Sequence, residues 1–355
     1  MKSILIISLV LIHFYGFSTT RTVNNNGSAQ FSTIQDAVNA SASNDTILVH
    51  GSQTAYAAFT ITNKKLKIIG PGFSPDKQLA YIAIIHGCTI TGAASSGSEL
   101  QGLSFSGGSS QLFFRSSQPD SIRIIRNLFY EYNIYMDGAS QNYKGYEFQG
   151  NYIYNTSIFG TTTSTYENLL FQNNWNFNNG GNNYGFRDFY NCINVLFDHN
   201  LWFGPSSGTR NCFSNCQSLN LTNNIFVRRD AAANNSFSTF NNNITYLAVN
   251  NTPWNSNSNM DAGGNIADQN PQLADQTSIT NGTPVWHNLT IATGPANDSG
   301  SDGKDMGLLF EPTGLLNWDH TGISQVPYIY SLNISNPTIQ PNGTLNIQVE
   351  ARKNN

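Results

Sequence analysis

From Ser121 to Val227 the chain repeats one order of apolar and polar positions five times. Five asparagines, Asn127, Asn151, Asn174, Asn200 and Asn224, stand 24, 23, 26 and 24 residues apart. Five positions before each stands Ile122, Tyr146, Leu169, Val195 or Leu219, and three before stands Ile124, Phe148, Phe171, Phe197 or Leu221. One position after stands Leu128, Tyr152, Trp175, Leu201 or Ile225, and three after stands Tyr130, Tyr154, Phe177, Phe203 or Val227. Apolar residues with period two on both sides of the asparagine predict two short strands meeting at a corner. A repeat of about 24 residues, nearly all strand and turn, is one rung of a β-solenoid. Rungs stack at about 4.8 Å, so the repeated asparagine becomes a ladder, each side-chain amide bonding its neighbours above and below. Chance periodicity in an Asn-rich chain is excluded because the separate columns agree. The pattern predicts an all-β fold, a right-handed single-stranded parallel β-helix.

Less regular rungs precede the ladder between Phe59 and Ser117. There Leu66–Gly70, Ile82–Gly87 and Leu100–Phe105 each put a glycine where later rungs put asparagine. Asn241 to Trp254 reads as a weak last rung, and Asn255 to Gly303 as a loop-rich closing segment. In the tail, Tyr328, Tyr330, Leu332 and Ile334 share one face, and Leu345, Ile347 and Val349 share another. These runs predict an antiparallel β appendage with one apolar face, laid on the solenoid wall or its open end.

At the start, Lys2, the apolar run Ile4–Ile12 and the small residues Gly16 and Ser18 form an export leader with a cut near Thr19. Next, Ser32 and Gln35 predict a capping box, with Ile34, Ala37 and Val38 on one helical face. The open first rung of a solenoid needs such a cap. The organisation expected is a leader over 1–18, a solenoid with its cap and closing segment over 19–307, and the appendage over 308–355. A secreted or cell-surface location follows from the leader. No other stretch is long and apolar enough to cross a membrane as a helix.

The helix Thr33-Ile34-Gln35-Asp36-Ala37-Val38-Asn39-Ala40, followed by Asn44-Asp45-Thr46-Ile47-Leu48-Val49, resembles the opening of the pectin-lyase-like β-helix superfamily. That superfamily includes pectate lyases, pectin methylesterases and polygalacturonases. The resemblance implies the fold and a polysaccharide partner; it does not select a chemistry.

Charge narrows the field. Charged residues make up 11% of the chain and the net charge is −4, so no basic field exists to hold nucleic acid. Calcium-dependent lyases of the superfamily cluster carboxylates and abstract a proton with an arginine or lysine, and hard cations need converging oxygen ligands. On the outward face of the strand before the ladder only Glu147 and Asp198 are acidic, two rungs apart. Glu147 over Arg123 reads as an ion pair. No metal and no cofactor are expected.

Four sets of residues remain as candidates. Ile193–Asn200 resembles the pectate-lyase segment that ends Ile-Asp-His, which implies catalytic roles for Asp198 and His199. The companion Arg-x-Pro-x-x-Arg motif is absent, and the competing reading is a polar corner. Arg187, Asp188, Arg210, Arg228 and Arg229 sit in successive rungs, as a groove for an acidic sugar or as a surface ion-pair network. Phe129, Trp202 and Phe226, two residues past the ladder asparagine, are assigned to the outward face. There they would stack on sugar rings or lie under the C-terminal strands. Cys192 and Cys216 each stand eight residues before a ladder asparagine, as a disulfide or as stacked free thiols. The function expected is recognition of extracellular polysaccharide, with or without lyase or hydrolase activity. The alternative is a non-catalytic surface or matrix module that adheres or self-assembles.

Overall fold

The structure, a computed structural model, describes residues 18–74, 81–107, 111–114, 119–179, 185–205, 210–279, 287–318, 328–334 and 343–352. Residues 1–17, most of the expected leader, and residues 335–342, between the two tail runs, lie outside the described residues. The chain winds into a parallel β-solenoid of about nine turns. Three parallel sheets form its walls. The first has eleven strands, from Thr20–Val23 to Met260–Asp261; the second has eight, from Ile84–Ile85 to Ile244–Tyr246; the third has seven, from Phe59–Thr62 to Phe213–Ser214.

The asparagine ladder stands between the first two sheets. Backbone and side-chain N–H groups of Asn174 both donate to Asn200 Oδ1 at 3.0 Å, and Asn174 Oδ1 receives the same pair from Asn151 at 2.9 Å. The remaining amide hydrogen of Asn174 goes to the Phe148 carbonyl at 2.9 Å. Every polar atom of the buried amide is thereby paired. The ladder outruns the sequence period, continuing through Asn243 and Asn265. At its top, Leu103 holds the asparagine's place and donates its N–H to Asn127 Oδ1. The early glycine Gly102 stands one residue earlier, in the corner.

That corner residue has a left-handed backbone in rung after rung: Arg126 (φ 51°), Gly150 (63°), Asn173 (54°), His199 (51°), Asn223 (59°) and Asn242 (49°). A single left-handed residue turns the strand and shifts its alternation by one. Positions −5 and −3 therefore point inward before the corner, while the asparagine and position +2 point inward after it. This corrects the assignment of the aromatic stripe. Phe129, Trp202 and Phe226 are each 0% exposed and belong to the solenoid interior.

Positions +1 and +3 face outward instead, yet they are buried from Tyr152 to Val227 and partly buried at Leu128 and Tyr130. Residues 273–279 and 287–318 lie across them and build a second apolar layer with Tyr152, Trp175, Leu201, Ile225 and their +3 neighbours. Tyr152 and Trp175 stack at 4.2 Å, and Trp318 meets Trp175 edge-on at 6.1 Å.

The helix Ile34–Ala40 caps the first rung and buries Ile34, Ala37 and Val38. Its N-cap is Thr33, whose hydroxyl accepts the Asp36 N–H at 3.1 Å, rather than Ser32. Gln35 bonds across to the Thr60 backbone instead of closing a box. The tail forms the antiparallel pair Tyr328–Ile334 and Ile347–Arg352. Its face of Leu345, Ile347 and Val349 stays 44%, 50% and 54% exposed, and among the described residues the wall's cover is the closing segment.

Candidate functional site: an amide-lined groove

Sequence candidates fall into three separate places. Asp198 and His199 do meet: His199 Nδ1 donates to Asp198 Oδ1 at 2.9 Å. Asp198 also accepts from Asn223 Nδ2 at 3.0 Å and Gln172 Nε2 at 2.8 Å. Burial pushes its carboxyl upward, but the His199, Gln172 and Asn223 bonds outweigh that and hold it below the usual range. His199 is 2% exposed, and its Nε2 lies 3.6 Å from Asp302 of the closing segment, beyond a hydrogen bond. Both carboxylate oxygens of Asp198 are occupied by donors, which suits a joint between rungs. Among the described residues, no three His, Cys, Asp or Glu side chains converge as metal ligands.

The arginines do not form one constellation. Arg210 and Arg229 are register neighbours, but Arg229 is buried over the Trp202 ring at 5.6 Å and donates to the Asn211 carbonyl at 2.8 Å. Arg228 stacks on Phe203 at 4.7 Å. On a different wall, Arg187 pairs with Asp188 at 3.1 Å, and Asp188 accepts from Asn215 Nδ2 at 2.7 Å. The Arg123 ion pair with Glu147, at 2.9 Å, extends through Glu99 to Lys67.

Cys192 and Cys216 are both free thiols, as are Cys88 and Cys212. Gln217 donates its N–H to the Phe189 carbonyl, so Cys216 lies beside Phe189, while Asn191–Ile193 continue the three-stranded sheet of Asn142–Lys144 and Thr165–Glu167, a sheet that ends with their rung. Cys192 pairs upward with Tyr166 instead. The expected shared column is broken because the next rung is shorter and, among the described residues, carries no counterpart of that strand.

Below Arg187 and Asp188 a groove of about 500 Å³ opens on the wall, lined by Asn215, Gln217, Asn234, Ser236, Phe237 and Asn257 among others. Among the described residues no charged side chain lines it. Burial lifts the Cys216 thiol at its floor to about 12, so the thiol stays protonated near neutral pH. The side chains of Gln217, Asn234 and Ser236 make no hydrogen bond among the described residues, leaving their donors and acceptors open.

Phe237 stands at the groove's edge, 61% exposed and left-handed (φ 54°). Its column, six residues before the ladder asparagine, otherwise holds Ser121, Gly145, Asn168, Asn194 and Ser218, also with positive φ. A non-glycine residue there costs roughly 1 kcal/mol, offset in Asn by local hydrogen bonding and in Phe by nothing. An aromatic ring that strains its backbone and remains in water marks a contact surface. Tyr190, 38% exposed, lies beside Gln217 one rung above. Sequence reading passed over Phe237 because its rung is short: Asn224 and Asn243 are 19 residues apart, outside the 24-residue period. Aligned on Asn243, the Phe in a Ser/Gly/Asn column was visible.

No model of a known protein family matches the chain, and a comparison with curated proteins finds no similar sequence.

Proposed function

We propose that the protein binds extracellular polysaccharide in this groove and prefers an uncharged glycan. The observation that supports this most is Phe237, exposed and strained beside open amide and hydroxyl side chains. Aromatic faces pack on the apolar faces of sugar rings, and Asn, Gln and Ser side chains bond hydroxyl groups without requiring a charge on the ligand. The groove lies across successive rungs about 4.8 Å apart, which suits a linear chain. Its lining offers no free carboxylate to act as acid or base, since Asp188 at the rim is held by Arg187 and Asn215. Binding without cleavage is therefore the reading, and membership of the pectin-lyase-like superfamily and export by the leader belong to it.

Affinity electrophoresis and calorimetry on a panel of neutral and acidic polysaccharides test it. At least one neutral polymer is expected to bind, with Phe237→Ala weakening it tenfold or more. Binding confined to polyuronates, or left intact by Phe237→Ala, would sink the proposal.

A second reading, end-to-end self-assembly, is supported by Leu247, Val249 and Met260, which are 52%, 80% and 58% exposed near the last rungs. Concentration-dependent sedimentation distinguishes it from glycan binding.

A further inference from the structure

Asp45 is a nearly buried carboxylate in a column that also holds Leu66 and Ile122. Register along the first sheet aligns Thr20, Thr46, Lys67, Glu99 and Arg123. The residues one earlier, Thr19, Asp45, Leu66, Ser98 and Ile122, therefore form an inward column. Leu66 is 1% exposed there, Ile122 0%, and Asp45 2%. An ionised carboxylate so placed costs several kcal/mol unless donors or cations meet it. Asp45 Oδ2 accepts the Ala42 N–H at 3.0 Å and faces Arg21 Nε at 3.5 Å. Asp45 Oδ1 has one donor among the described residues, the backbone nitrogen of Thr19 at 2.7 Å. Thr19 is itself fixed by the sheet, its carbonyl accepting the Thr46 N–H at 3.0 Å. A buried acid thus meets a main-chain nitrogen at the point where the leader pattern, with Gly16 and Ser18 at its small positions, sets the cut.

We propose that cleavage between Ser18 and Thr19 completes the first rung, by converting that nitrogen into an α-ammonium paired with Asp45. A leader peptidase supplies the catalysis. Water adds across the peptide bond, Ser18 departs with the leader as a carboxylate, and the freed Thr19 amine takes up a proton. A neutral N–H donor becomes a cation at the same place, and Asp45, which already faces Arg21 through Oδ2, gains a second counter-charge at Oδ1. The mature N-terminus is thereby clamped over the end of the solenoid core. The inference needs export and cleavage, and is independent of the glycan reading.

The pH dependence has a definite sign. An α-amino group titrates at about 7.7–8.0 in an unfolded chain, and pairing with Asp45 raises that value in the folded protein. The added stability is fully present below about pH 8 and is lost as pH rises through the raised value. An uncut chain has an amide at this place and shows no such loss.

Two measurements test the proposal. Full-length protein recovered from the medium of a secreting bacterial host is analysed by N-terminal peptide mass; Thr19 is the expected first residue, and any other start overturns the site. The Thr19 chain is then melted beside one that keeps Gly16–Ser18 ahead of it. A Tm higher by a few degrees at about pH 7, with the gap closing above about pH 10, upholds the clamp. Equal melting at both pH values refutes it. Asp45→Asn is expected to abolish the gap. If that variant does not fold, titration of the α-amino group in the Thr19 chain decides, an elevated pKa supporting the pairing and an ordinary one excluding it.

Discussion

Leu309 and Asn173, 136 residues apart, exchange both of their hydrogen bonds: the Leu309 N–H donates to Asn173 Oδ1 at 2.7 Å, and Asn173 Nδ2 donates to the Leu309 carbonyl at 3.5 Å. The same corner column serves the closing segment elsewhere. Asn223 Oδ1 accepts the Ser301 N–H at 2.7 Å, its carbonyl accepts the Gly307 N–H at 2.7 Å, and Arg126 donates to the Gly314 carbonyl. Left-handed corner residues thus hold the strap that covers the outward apolar positions. Asn173→Ala is expected to loosen the strap while leaving the rungs wound. Limited proteolysis checks this: cleavage near Leu309 should quicken, with far-ultraviolet circular dichroism unchanged. Loss of the β signal along with it would mean that strap and solenoid do not separate.

Asn174→Ala removes a side chain that donates twice and accepts twice inside the ladder. At about 1 kcal/mol for each buried bond, the loss should be at least about 3 kcal/mol in denaturant unfolding. A change below about 1 kcal/mol would show that neighbouring amides close over the gap.

Phe237→Gly should separate binding from stability. Glycine relieves the left-handed backbone, so stability should hold or rise by up to about 1 kcal/mol. Glycan binding should fall along with the ring. A destabilised protein would assign Phe237 to packing.

Asp198 gives the acid limb of stability. Its folded-state pKa is depressed, so its contribution is present above the unfolded value of about 3.9 and is lost as pH falls through the folded value. Asp198→Asn, which cannot titrate, should flatten the decline of Tm below about pH 4. An unchanged acid limb would place the titrating group elsewhere.

Thiol titration of denatured, unreduced protein should find four free thiols, from Cys88, Cys192, Cys212 and Cys216. Two thiols, with peptide mapping that joins Cys192 to Cys216, would show that the strand Asn191–Ile193 leaves its register with Thr165–Glu167 to let the pair close.

The sequence by itself determined the solenoid, its ladder and its capping helix, because stacking repeats the same environment each turn and prints it into the chain as columns. It also placed Arg123 over Glu147 and Asp198 beside His199, since neighbours in register or in sequence are neighbours in space. Tertiary structure decided which side of each strand faces in. Apolar residues at +1 and +3 match an interior as well as they match a wall under a strap, and period two alone cannot tell them apart. The left-handed corner, carried by residues as unlike as Arg126, Asn173 and His199, shifts the alternation and turns Phe129, Trp202 and Phe226 inward. The strap's seat on that wall depends on pairings such as Asn173 with Leu309, across separations at which a local pattern leaves no trace. The groove beside Phe237 also arises from chain geometry, where rungs shorten beyond Asn191–Ile193 and interrupt the register that made the rest legible.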